Sequence, residues 1–246
     1  MSDLRRIDPG PRLCEATVYG DRMYLSGMIP EDTSQDITGQ VKQALAEIDS
    51  LLAKGGGDKT KILSAVIWLS DIGDFAAMNR VWDAWVVPGQ TPARATVQAR
   101  LNDPAMKVEI MVVAAIQALL RSRPLSRRRE NMSVKRINPG PRMSSAVVHG
   151  NTVYLAGLTA DDPKADVKGQ TKQILAKIDK FLAEAGTDKS KILSANIWLT
   201  DIKTWSQMNE VWDAWVSPGN APARATVEAK LAAPGLSVEI MVQAAK

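Results

Sequence analysis

The 246-residue chain has a single cysteine, Cys14, and a single histidine, His149. One thiol leaves no internal disulfide framework, and one imidazole leaves neither a cysteine–histidine zinc cluster nor the paired histidines of a ribonuclease-type acid–base site. Aromatic residues make up only 5% of the chain, which argues against a stacking surface for single-stranded RNA. No apolar run approaches the roughly 18 residues that would suggest a membrane span, and the opening MSDLRRIDPG lacks the apolar stretch of a signal peptide. A lone thiol suits a reducing compartment, so the expectation is a cytoplasmic protein with neither a membrane span nor a zinc cluster. The net charge of +4 is small. Its excess lies in one run, Arg121, Arg123, Arg127, Arg128 and Arg129, so no basic face for nucleic acid is indicated elsewhere.

What the chain does have is a copy of itself. Placing residue n over residue n+130 aligns Leu4–Ala115 with Val134–Ala245 without a gap, and 63 of the 112 pairs are identical. A period this long marks a self-sufficient domain rather than a solenoid unit. The expected organisation is a first domain over 1–115, an arginine-rich linker over 116–133 and a second domain over 134–246. The linker arginines fit a solvated joint, with an acidic or nucleic-acid partner as the alternative.

Each repeat reads as ββαβαββ. ATVYGDRMYLSG, Ala16 to Gly27, alternates around a Gly-Asp turn and predicts a hairpin. Val41, Leu45, Ile48 and Leu52 share a helical face over 38–54, closed by Gly55 to Gly57. KILSAVIWL predicts a strand over 61–69, and DFAAMNRVWDAWVV a helix over 74–87 that stops at Pro88 and Gly89. Strands are expected over 95–101 and 107–115. The result is an α+β fold with two helices on one face of a mixed sheet. The other face then needs cover, either from the second repeat or from other chains. The tryptophans Trp82, Trp85, Trp212 and Trp215 read as core or interface packing. His149 and Cys14 align with Tyr19 and Ser144, and no chemistry is assigned to them.

Two charges recur in apolar settings. Arg94 sits at a strand's mouth in PARATV, and Glu109 is the only charge of VEIMVVAA; Arg224 and Glu239 repeat them. A carboxylate in a buried strand is costly unless paired or hydrogen-bonded. One reading is a structural Arg94–Glu109 salt bridge, or a strand end where the glutamate escapes to solvent. The other is a small-anion site in which the arginine fork holds a ligand carboxylate and the glutamate holds a water.

PAR, its spacing to VEI, and the upstream YLSGMIP, GQVKQALAEIDSLL and DFAAMNRVWDAW together resemble the reactive intermediate deaminase family, RidA/YjgF, across essentially all of each repeat. The resemblance implies a chorismate-mutase-like fold, trimers with clefts between neighbouring subunits, and hydrolysis of enamines and imines such as 2-aminoacrylate to 2-oxo acids and ammonia. Carried over by position, Arg94 and Arg224 bind the substrate carboxylate, Glu109 and Glu239 orient water, and Asn79 and Asn209 line the cleft. Thr96 and Thr226 stand where the family often has cysteine. Arg12 and Arg142 stand where it often has tyrosine, and either read a second anionic group or lie exposed. The ligand implied is a small anionic imine or oxo acid, with a dicarboxylate enamine of the 2-aminomuconate type, or binding without turnover, as alternatives. A homo-oligomer is expected, most simply three chains giving two rings of domains.

Overall fold

The computed structural model describes residues 4–10, 14–116 and 133–246, and the two repeats build the same layered unit. The first runs β1 (Arg5–Pro9), β2 (Cys14–Tyr19), β3 (Arg22–Leu25), α1 (Ile37–Gly55), β4 (Ile62–Leu69), α2 (Phe75–Trp85), β5 (Ala93–Gln98) and β6 (Val108–Ala115). The second runs β7 (Val134–Pro139), β8 (Ser144–His149), β9 (Thr152–Leu155), β10 (Leu158–Thr159), α3 (Val167–Ala185), β11 (Ile192–Leu199), α4 (Trp205–Trp215), β12 (Ala223–Glu228), β13 (Lys230–Leu231) and β14 (Val238–Ala245). The ββαβαββ order is present twice, each time preceded by a strand, β1 or β7, that sequence patterning did not mark. The two short strands β10 and β13 occur in the second repeat alone among the described residues. Apart from Ile116 and Ser133, the arginine-rich linker lies outside the described residues.

Local chemistry fixes each element. Gly20, at φ 64°, turns the β2–β3 hairpin in a conformation that a Cβ would strain. Asp36 caps α1 by accepting from the Gly39 amide at 2.8 Å, and Gly56, at φ 84°, ends it in the left-handed region. Gln40 explains the Gly-Gln helix start. Its buried amide donates to the carbonyls of Thr33, Gln35 and Ala105, and its oxygen accepts from the Lys107 amide at 2.7 Å. One side chain thus ties the loop before α1 to the loop before β6. Gln170 does the same with Ala165, Gly235 and Ser237.

Between helices and sheet lies a core in which Val41, Leu45, Ile48 and Leu52 of α1 meet Met78 and Trp82 of α2 and Val108, Ile110 and Val112 of β6. The second repeat has an equivalent core. Within the first repeat β6 runs between β3 and β4, and β5 lies parallel to β4 at the sheet's edge.

The sheet does not stop there. β5 pairs with β8 at Ala93 and Ser144, and β13 returns antiparallel to β5, with Leu231 opposite Val97 and Lys230 opposite Gln98. The helix-free faces of the two repeats also share a core of Val66, Ala95 and Val97 with Trp198, Leu231 and Met241. The second repeat therefore supplies cover for the bare sheet face of the first.

Candidate functional site

Strand parity decides where the two recurring charges point. Residues opposite one another in neighbouring strands project to the same side of a sheet. Arg94 lies opposite Ala65, which belongs to the helix-side core, whereas Glu109 lies opposite Trp68, which packs with the core on the other side. An Arg94–Glu109 salt bridge within one repeat is therefore absent; the two side chains leave opposite faces.

The glutamate that approaches Arg94 comes from the other repeat. The Gly157 amide donates to the Arg94 carbonyl at 3.1 Å. A Cβ placed on Gly157 would meet Glu239 Oε1 at 1.9 Å and the Ala95 Cβ at 2.9 Å. Gly157 is thus the point at which β5 of the first repeat and Glu239 of the second come together, and the missing side chain leaves room for the carboxylate. Both charged residues are buried, and no ion pair within 4 Å joins them.

Burial tunes both groups. Desolvation, together with the nearby Arg142 charge, lowers the Arg94 guanidinium to about 10, against the pull of Asp83 and Glu239. It remains a cation at neutral pH. Desolvation pushes the Glu239 carboxyl up to about 8, with Arg94 opposing, so at neutral pH most of this carboxyl holds its proton. The equivalent Glu109, half-exposed, is raised by burial too.

The walls around Arg94 come from α2 and β5. Its guanidinium lies over the Trp82 ring, 5.2 Å from the centroid, and Asn79 sits one helical turn before that tryptophan. Thr96 projects on the same face as Arg94. Arg94 Nη1, Thr96 Oγ1 and Asn79 Oδ1 are buried with no hydrogen-bond partner. Buried polar groups of folded proteins are nearly always paired, with protein or with ordered water, so this grouping is the candidate place for a polar ligand or a bound water.

Arg142 stands at the mouth. It forms a bidentate pair with Asp83 of α2, Nε to Oδ1 at 2.8 Å and Nη2 to Oδ2 at 2.5 Å, and its carbonyl accepts from Trp82 Nε1 at 3.0 Å. Of its two expected roles it takes neither outright, since it reaches the cleft but is already paired. Arg12 lies outside the described residues. In the second repeat Arg224 lies over Trp212 at 5.2 Å, and Asn209 Oδ1 and Thr226 Oγ1 are again without partners. There, however, β12 is largely exposed, and among the described residues no ion pair joins Arg224 to a glutamate.

Sequence reasoning missed three contributors. Gly157 and its counterpart Gly27 were visible as a recurring glycine. Asp83 recurs as Asp213. His149, assigned no chemistry, is buried at the junction between repeats, with Nε2 3.0 Å from Asp21 of the first repeat. Beside it Arg22 donates to Thr152 Oγ1 at 2.8 Å. Among the described residues there is no cluster of His, Cys, Asp or Glu suited to a metal ion, and no helix long and apolar enough to cross a membrane.

The pattern of the endoribonuclease L-PSP family matches residues 4–116 and again residues 134–246. A RutC family protein of Haemophilus ducreyi is 44% identical over 113 residues, covering 46% of this chain and 97% of that protein. The RutC family protein YoaB of Escherichia coli K12 is 47% identical over 111 residues, covering 45% of this chain and 96% of that one. Among solved structures, NMB1025 of Neisseria meningitidis, a member of the YjgF protein family, is 42% identical, with 47% of this chain and 97% of that chain covered at a TM-score of 0.46.

Proposed function

This chain belongs to the endoribonuclease L-PSP family twice over, and from that premise we propose that it is a cofactor-independent hydrolase converting reactive 2-imino and enamino acids, of the 2-aminoacrylate kind, to 2-oxo acids and ammonia. The observation that carries this reading is the set of unpartnered buried atoms, Arg94 Nη1, Thr96 Oγ1 and Asn79 Oδ1, beside a protonated Glu239. A cation with a free fork suits a carboxylate, and a buried acid that holds its proton at neutral pH suits a basic imine nitrogen.

The proposed sequence balances without a co-reactant. Arg94 holds the substrate carboxylate and so fixes C2 of the imine beside Glu239. Glu239 gives its proton to the imine nitrogen, which makes C2 a stronger electrophile. The resulting carboxylate takes a proton from the attacking water as the C2–O bond forms. It then passes that proton to the amino group of the tetrahedral carbinolamine; as the C2–N bond breaks and ammonia leaves, the carbinol hydroxyl gives its proton back to Glu239, which ends protonated as it began beside a 2-oxo acid. The bound substrate carboxylate partly neutralises Arg94, which strengthens the hold of Glu239 on its proton when the proton is needed.

Arg142 bears on the choice of substrate. Because its fork is engaged by Asp83, a second substrate carboxylate would have to displace that pair, which favours a monocarboxylate over the 2-aminomuconate type. Ribonuclease chemistry is disfavoured by the sole histidine, which is buried against Asp21.

The test generates 2-imino acids in situ with an amino-acid oxidase and follows imine decay and ammonia release. Acceleration by the wild-type chain that disappears in the Arg94→Ala/Arg224→Ala double variant supports the proposal. Saturable binding of a 2-oxo acid with no acceleration would replace it with a binding role.

A further inference from the structure

The segment that carries Arg94 is held by its carbonyls. Ser144 Oγ donates to the Thr91 carbonyl at 2.6 Å, the Ser144 amide to that of Pro92 at 2.8 Å, and the Gly157 amide to that of Arg94 at 3.1 Å. The Thr91 hydroxyl in turn donates to the Gly140 carbonyl at 3.2 Å. A further donor reaches in from β7. Arg136 gives Nε to the Thr91 carbonyl at 3.1 Å and Nη2 to the Thr60 carbonyl at 2.7 Å.

The two carbonyls that Arg136 bridges precede neighbouring strands. Thr60 comes just before β4 and Thr91 just before β5, and these strands run parallel with Ala65 opposite Arg94. A guanidinium presents its donors in a rigid plane, so one side chain fixes the separation of the two strand starts. The helix α2, which crosses between those strands, is tied to the same part of the second repeat, because Trp82 Nε1 donates to the Arg142 carbonyl at 3.0 Å. Arg94 and the ring beneath it are thus both anchored on the stretch 136–144.

Arg136 is poorly placed for a purely stabilising role. Desolvation lowers its guanidinium from the ordinary value. Among the described residues no carboxylate lies within 4 Å of it to offset that cost. The arginine of the second repeat has no such frame among the described residues. There Arg6 stands for Arg136 and is exposed, Ala221 and Cys14 replace Thr91 and Ser144, and Arg224 is partly exposed where Arg94 is buried.

We propose that Arg136, acting with Ser144, is a positioning residue for the Arg94 cleft: its fork sets where β5 begins, and so where the Arg94 guanidinium awaits a ligand carboxylate. This role rests on Arg94 holding the substrate carboxylate, as proposed above. Arg136 acts through Arg94 and therefore on binding of the carboxylate more than on the proton transfers of Glu239. A shift on the order of 1 Å in such a group costs up to about 100-fold.

The experiment uses the full chain carrying Arg224→Ala, so that one cleft is read. Dissociation constants for 2-oxobutyrate are measured by calorimetry, and KM and kcat for the corresponding 2-imino acid, generated in situ, by ammonia release. Thermal melts are the folding control. Arg136→Ala is expected to raise the dissociation constant and KM together by about tenfold, with kcat within about twofold. Arg136→Lys, which keeps the charge and loses the fork, is expected to recover little of this. In the Arg94→Met background Arg136→Ala is expected to weaken binding no further, since the two act as one.

If Arg136→Ala does not fold, Ser144→Cys makes the same test with the residue the chain already carries at position 14, and binding about threefold weaker is expected. Unchanged binding in a folded variant, full recovery by Arg136→Lys, or an equal further loss in the Arg94→Met background would each overturn the proposal. A parent chain that binds 2-oxobutyrate equally well with Arg94→Met ends the carboxylate role of Arg94 and the positioning role with it. Binding that follows the expected order without ammonia release supports the positioning role and removes the turnover alone.

Discussion

Arg94 and Glu239, 145 positions apart and in different repeats, come near enough at Gly157 to feel each other's charge, while Arg94 and Glu109, fifteen apart, leave opposite faces of one sheet. On the proposed function, the unit of chemistry is therefore a junction between repeats and not a repeat.

Replacing Arg94 tests the junction directly. Arg94→Met keeps the stem over Trp82 and removes the fork, and imine hydrolysis at this cleft should fall by about two to three orders of magnitude. Because the removed group had an unpartnered Nη1, the melting temperature should hold or rise. A large drop would make the arginine structural.

Glu239 should govern the pH dependence. The proposed chemistry needs the protonated carboxyl, so turnover at this cleft should decline as pH rises through about 8. Glu239→Gln should lose activity and that descending limb together. Steady-state rates between pH 6 and 9.5 decide it.

The same group makes a stability prediction of definite sign. A carboxyl whose folded value is raised binds more protons in the folded state than in the unfolded one between 4.5 and about 8. Stability therefore falls as pH rises across that window. Glu239→Gln should flatten the fall, with roughly 2–4 °C of melting temperature recovered at pH 8.5 for each kcal/mol. Thermal melts of both proteins at pH 5 and 8.5 give the comparison.

Gly157→Ala should disable the cleft while leaving the strand pairing intact, since the new methyl would occupy the Glu239 carboxylate position. Gly27→Ala presses on Glu109 in the same way, with 1.8 Å to its Oε1. Gly157→Ala should abolish the activity that depends on Arg94, and Gly27→Ala, which displaces Glu109 and not Glu239, should leave that activity in place. Both are measured in the Arg224→Ala background.

Asp21 holds the two repeats together through His149. Burial works to raise its carboxyl, yet the hydrogen bond and charge of His149, helped by Arg22, leave it below the usual carboxylate range. Asp21→Ala leaves the buried His149 Nε2 without its partner and should cost about 1–3 kcal/mol, seen as a lower melting temperature. Asp21→Asn, which keeps a hydrogen-bonding oxygen, should recover part of it.

Much of this architecture was legible because it is local. Asp36 and Gly56 bracket α1 by capping chemistry, Val41, Leu45, Ile48 and Leu52 give its period, and Gly20 marks the hairpin. The pairing of Arg94 was not legible, because the side on which a strand residue projects relative to a neighbouring strand depends on register, a tertiary property. Patterning also passed over β1 and β7: only Ile7 in one and Ile137 in the other are buried, too few to show alternation. His149 looked inert because the residue that gives it a role, Asp21, is 128 positions away.

The His149–Asp21 contact has a further meaning. In a ring of identical one-domain subunits any substitution appears at every junction at once, so a residue that improves one contact must suit them all. Here position 149 carries histidine while position 19 carries tyrosine. Fusion has released the contact between the repeats from that shared requirement: it can become a permanent lock, altered at position 149 without rewriting position 19.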